Sequence, residues 1–290
     1  MSLTIDFNNN HNPVNKKFDN TNQSPISSLP NELVLEIFSY LNLATLGTIC
    51  RVSKEWKRLA SEPILWKIAI YKEIAFGNDK WAQCFEKDVV KDEDSREEFS
   101  SFPWNDFIKD CKKFKSVFPE KNAKDSLMLV RLPKTLNGQL TLKSLGELAK
   151  RYFPDSDTGY DFIWSPVVVE LGDKSIDKSR WVLMTKDVLP GSRNESYAKQ
   201  KDIVADLAQK ALISYEVPEI LEATVCILAQ YFGSNTRLFS DSPRTYTRCK
   251  ENVQGHQVVV GGLASAGLEV NRNFYYSDDD NIGVAALRKF

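Results

Sequence analysis

The stretch ISSLPNELVLEIFSYLNLATLGTICRVSKEWKRLASEPILW, residues 26–66, constrains this chain most, because it carries large apolar residues along its whole length with only short polar breaks. Pro30 followed by Asn31 reads as a helix start, with Asn31 as N-cap and Glu32 where the helix dipole favours an acid. Leu33, Ile37 and Leu41 fall four apart and share a face, while Val34 and Phe38 widen that face beyond an amphipathic stripe. Leu43, Leu46, Ile49 and Cys50 predict a second short helix, and Ser53 caps a third that carries Trp56 and Leu59. Ser61 and Pro63 mark a fourth start, ahead of Ile64, Leu65 and Trp66. A unit of four short helices sits near the lower size limit for independent folding, where one core rarely supplies more than about 3–5 kcal/mol. Apolar surface is left over. On a soluble protein such a surplus marks an interface, unless a downstream domain covers it.

The full chain of 290 residues is long enough for one large domain or two of ordinary size. Hydrophobic residues at 42% and charged residues at 27% place it in the globular class. A formal charge of -1 and a pI near 6.2 exclude a chain-wide electrostatic footprint for nucleic acid. Cys50, Cys84, Cys111, Cys226 and Cys249 are scattered, odd in number and contain no CxxC pair, which argues against a disulfide framework or a zinc ribbon and for a reducing compartment. No apolar run approaches the roughly 20 residues that cross a bilayer. The start MSLTIDFNNNHNPVNKKFDN lacks the charged-then-apolar order of a signal peptide, so the expected location is the cytosol.

Residues 1–25, rich in Asn and poor in apolar anchors, read as a disordered tail. Residues 26–76 form the helical block. Residues 77–122 read as a helical extension in which Trp104, Phe107, Ile108, Cys111 and Phe114 recur at helical spacing and close the N-terminal unit. The boundary falls in FPEKNAKD, 118–125, and residues 123–290 have a different texture. There SLMLVRLP and WVLMTK read as strands, and LTLKSLGELAKRYF, SYAKQKDIVADLAQKALI and VPEILEATVCILAQYF as helices. TYTRCKEN, HQVVVGGL, LEVNRNFYY and GVAALRKF read as closing strands, with a turn at 277–281. The expected fold class is α+β overall: a small all-helical unit followed by an α+β domain with a mixed or antiparallel sheet.

The order Leu29-Pro30-x-Glu32-Leu33, Ile37-Phe38-x-x-Leu41, Leu46, Val52-Ser53-x-x-Trp56-x-x-Leu59, Leu65-Trp66 closely resembles the F-box. The resemblance implies that the missing core is supplied by another chain: F-box proteins set such helices against a Skp-family adaptor, which links them to a cullin-RING (SCF-type) ubiquitin ligase. Carried over by position, Leu29 and Pro30 would make the first adaptor contacts, and Leu33, Ile37, Phe38 and Leu41 would line the first buried face. Leu46, Val52, Trp56 and Leu59 would join the packed centre or the adaptor groove. The segments WVLMTKDVLPGSRNESYAKQ, TYTRCKENVQG and GVAALRKF resemble a C-terminal domain that accompanies F-boxes in chlamydia-like bacteria living inside amoebae, which would make the protein an effector in a eukaryotic host. The implied role is a non-catalytic substrate receptor that recruits a protein for ubiquitylation, with no cofactor, metal, nucleic acid or membrane. The alternative is a decoy that occupies the adaptor without ligase activity.

A second alternative is a thiol enzyme, since Cys249 and His256 could form a nucleophile and base if a turn at Gly255 joined them. His256 and His11 are the two histidines of the chain. Asp278, Asp279 and Asp280 lack the alternate-position ligands of a calcium loop and read as a solvated turn. LPGSRN at 189–194 is no phosphate loop, and Gly261–Gly262 lack GxGxxG. Lys109, Lys112, Lys113 and Lys115 read as a solvated helix face, and Tyr231, Phe232, Tyr246, Phe274, Tyr275 and Tyr276 as core rather than substrate surface.

Overall fold

In the computed structural model the described residues, 29–85, 102–273 and 280–290, divide into two compact units at Ile74 and Ala75. The first unit is all helical: α1 (Asn31–Ser39), α2 (Leu43–Ile49), α3 (Lys54–Ala60) and α4 (Pro63–Ile74). Polar side chains separate them. Asn42 accepts from the N–H of Thr45 at 2.9 Å to start α2, and Ser53 accepts from the N–H of Trp56 at 3.1 Å to start α3, the cap read from the sequence. Two capping expectations change. The N-cap of α1 is Pro30 rather than Asn31, since a proline with φ -55 and ψ 146 presents only its carbonyl, which accepts from Leu33 and Val34. Ser61 is the C-cap of α3, its hydroxyl donating to the Lys57 carbonyl at 2.6 Å, and α4 begins at Pro63.

The second unit is α+β with two mixed sheets, as the sequence predicts. It opens with β1 (Ala75–Phe76), α5 (Asn78–Cys84), α6 (Trp104–Val117), α7 (Ala123–Ser126), β2 (Leu127–Leu132) and α8 (Leu142–Ala149). It continues through β3 (Tyr160–Ile163), α9 (Ser165–Leu171), β4 (Arg180–Thr185), α10 (Tyr197–Ala211) and α11 (Ile220–Ser234). It ends with β5 (Tyr246–Val253), β6 (His256–Ala264), β7 (Gly267–Asn273), β8 (Ile282–Gly283) and β9 (Leu287–Lys289). One sheet runs β1-β2-β4-β9, parallel at β1/β2 and antiparallel elsewhere; the other runs β3-β7-β6-β5-β8, parallel at both edges. The α11 helix is apolar nearly all round and is buried from Ile220 to Ala229, packing on strands of both sheets, which is where such a helix has to lie.

The expected division at 118–125 is not where the structure divides. Ala75 pairs with Leu129 and Phe76 with Val130, and the fully buried Trp81 donates its indole N–H to the Arg131 carbonyl at 3.0 Å. The start of the expected extension is therefore built into the second unit. The same holds for α6: Asp110 pairs with Arg288 at 2.8 Å and Lys113 donates to the Leu212 carbonyl at 2.6 Å, so this helix closes the second unit, not the first. GVAALRKF is not one strand but two short ones, because the N–H groups of Val284, Ala285 and Ala286 bond to the hydroxyls of Ser192, Thr247 and Thr185. The expected tail at 1–25, together with Phe274, Tyr275, Tyr276, Asp278 and Asp279, lies outside the described residues.

Candidate interaction surface

The five apolar residues that the sequence places on one broad face of α1 are split by the fold. Positions 34 and 38 point into the unit, with Val34 3% and Phe38 2% exposed. Positions 33 and 37, about 100° round the helix from them, point out, with Leu33 46% and Ile37 43% exposed. Pro30 and Tyr40 extend that outer stripe at three-residue steps, Pro30 exposed and Tyr40 73% so. A nine-residue helix thus holds its own core with one stripe and offers solvent a second apolar one.

The inner stripe is anchored by Phe38 against Trp56, rings edge to face at 5.6 Å, with Leu46, Leu59, Ala60, Leu65 and Ala69 closing the core. Trp66 donates its indole N–H to the Ala60 carbonyl at 2.8 Å, which ties α4 to the end of α3. The far end of α4 fixes the start of the outer stripe's neighbour: Lys72 donates to the Ser39 carbonyl at 3.0 Å and lies 5.2 Å from the Tyr40 ring, and Glu73 accepts from the N–H of Leu43 at 3.3 Å. Of the residues carried over from the sequence pattern, Phe38, Leu46 and Leu59 are buried inside the unit. Leu29, Leu41 and Trp56 are half-buried at its edge, and Pro30, Leu33, Ile37 and Val52 face solvent, Val52 at 60%. Sequence reasoning missed Tyr40 and Ile64, the latter 48% exposed. For Tyr40 the signal was present, seven residues after Leu33 and hence on the same stripe.

In the second unit the structure does not assemble Cys249 with His256. The β5–β6 hairpin turns through Gln254 and Gly255, both at positive φ (48 and 80), which pairs His256 with Val253. Cys249 lies four residues further back, about 13 Å along the strand. It is fully buried, and burial pushes its thiol well above the ordinary value, so it is a core residue. The ring of His256 instead stands edge to face on Trp164 at 5.7 Å. Phe232 is core, Tyr231 stacks on Phe153 at 5.1 Å, and Tyr246 donates to Glu269 at 2.5 Å. Among the described residues no group of three or more His, Cys, Asp or Glu could hold a metal ion, and no helix is long and apolar enough to cross a membrane.

A family model described as F-box-like matches residues 26–69, the segment that carries both stripes. Comparison with curated proteins and with solved structures finds no match.

Proposed function

We propose, from the premise that residues 26–69 are an F-box-like domain, that the protein is an F-box adaptor of a cullin-RING ubiquitin ligase, docking on a Skp-family protein through the outer stripe of α1. The observation that carries this reading is the division of labour on one helix: Val34 and Phe38 complete the unit's own core, so Leu33, Ile37 and Tyr40 are free to enter a partner's. Leu29, Pro30, Leu41 and Val52 border the contact, and Phe38, Leu46, Trp56 and Leu59 support it from within. The second unit would hold the protein substrate. Catalysis is then by proximity, raising the effective concentration of substrate lysines at a charged ubiquitin carrier, with no active site of the chain's own. Such a role places the protein in the cytosol of a eukaryotic cell, the host's if the chain is a bacterial effector.

The test is binding of the purified chain to a Skp-family adaptor, beside Leu33→Asp and Ile37→Asp. Each substitution puts a charge into an apolar contact and is expected to weaken binding by about 2 kcal/mol or more, roughly thirtyfold. Unchanged binding by folded variants would remove the stripe from the interface. Co-purification of a cullin with the complex distinguishes a working receptor from a decoy.

A further inference from the structure

The second unit carries a groove of about 380 Å³ whose apolar lining is Val117, Phe118, Leu189, Pro190, Ile203 and Leu207. Its walls are the end of α6, the 189–190 turn and the outer side of α10. Leu189 and Leu207 are buried at the bottom, while Pro190, Asp206 and Lys210 stand exposed at the mouth. The walls are fastened: Lys113 on α6 donates to the Leu212 carbonyl just past α10, and Lys115 donates to the carbonyls of Pro119 and Lys121. This makes the groove a preformed feature of the surface. Its lining offers apolar surface and two exposed charged side chains, with no buried polar group to orient a small polar metabolite.

The charge around the mouth is uneven. Lys210 lines it on α10, and the Lys121 ammonium lies 5.3 Å from the Phe118 ring on the opposite wall. Among the described residues neither lysine forms an ion pair with a carboxylate, and Lys109 and Lys112, both exposed, add positive charge along α6. Asp206, one turn before Lys210, is the acidic member of the lining. An apolar lining with Lys210 at one side and Lys121 beside the Phe118 ring at the other, neither paired with a carboxylate among the described residues, matches a peptide that inserts a large apolar side chain and carries carboxylates on either side of it.

We propose that this groove is a docking site for an acidic protein segment with a large apolar anchor, the anchor on Phe118, Ile203 and Leu207 and its flanking carboxylates at Lys121 and Lys210. Calling the owner of that segment the recruited substrate rests on the adaptor reading above; peptide binding at the groove does not. The probe is a displayed library of random 12-residue peptides selected on the full chain. Enriched peptides are expected to carry Leu, Ile, Phe or Trp flanked by Asp or Glu. Their synthetic copies should bind about tenfold more weakly to the Lys121→Glu, Lys210→Glu double variant, and wild-type binding should weaken with salt. Ile203→Asp, at a half-exposed position, should abolish it. Both variants are checked for native unfolding temperature and for unchanged adaptor binding. No enrichment, enrichment of neutral or basic peptides, or equal binding by the folded variants would overturn the proposal. A wild-type chain that takes up the peptides but no adaptor would overturn the ligase reading alone.

Discussion

Replacing Phe38 by Ala and, separately, Ile37 by Ala makes neighbouring residues of one helix report on opposite sides of it. Phe38 is 2% exposed and packs edge to face on Trp56 at 5.6 Å, so its truncation removes a buried ring from a small core. Buried Phe→Ala changes cost about 3–5 kcal/mol. That equals the about 3–5 kcal/mol that a core of this size supplies in total. Phe38→Ala is therefore expected to unfold the first unit. Ile37 is 43% exposed, and truncation at such a position changes stability by about 0.5 kcal/mol or less. Native-state hydrogen exchange read by mass spectrometry separates the outcomes: amides of α1 to α4 lose protection in Phe38→Ala and keep it in Ile37→Ala. Amides of β5 and β6 keep theirs in both, because they belong to a different core. Equal protection in the two variants would refute the split between inner and outer stripes.

Cys249 and Cys226 are fully buried with thiols raised by desolvation, so in the native chain both should resist iodoacetamide and react only after unfolding, whereas a fast-reacting Cys249 would reinstate thiol chemistry at β5. The Glu251 carboxyl accepts the N–H of Ile220 at 3.0 and 2.9 Å, yet burial, with Glu219 and Glu222 nearby, pushes it up to about 7 from an ordinary 4.5. Between those values the folded chain holds a proton that the unfolded chain releases, so stability should rise as pH falls from about 7 toward 4.5, by at most about 3 kcal/mol. Urea unfolding of the wild type and Glu251→Gln across that window checks the sign; an identical pH slope in both would remove Glu251 as the cause.

The elements that were legible in the sequence are those whose pattern is local. The cap at Ser53, the periodic faces of α8 and α10, the apolar run of α11 and the valine run of β6 depend on residues close together in the chain. The elements that were misplaced depend on distant partners. Ala75–Phe76 looks like the tail of an apolar helix, and only Leu129 and Val130, more than 50 residues on, make it a strand. The α6 periodicity shows a helix correctly but carries no sign of which core it joins; Asp110 meets Arg288 only in the folded unit.

The candidate surface divides the same way. Apolar residue types in residues 26–66 were enough to establish four short helices with more apolar surface than so small a unit can bury, and the order of those residues carried the resemblance that the F-box-like match at residues 26–69 repeats. Which of them face inward was open, because Leu33, Val34, Ile37 and Phe38 are equally hydrophobic and adjacent on the helix. Tertiary packing settled it: Trp56 and Leu46 occupy one side of α1, and a nine-residue helix cannot turn Leu33 and Ile37 to that side without turning Val34 and Phe38 away.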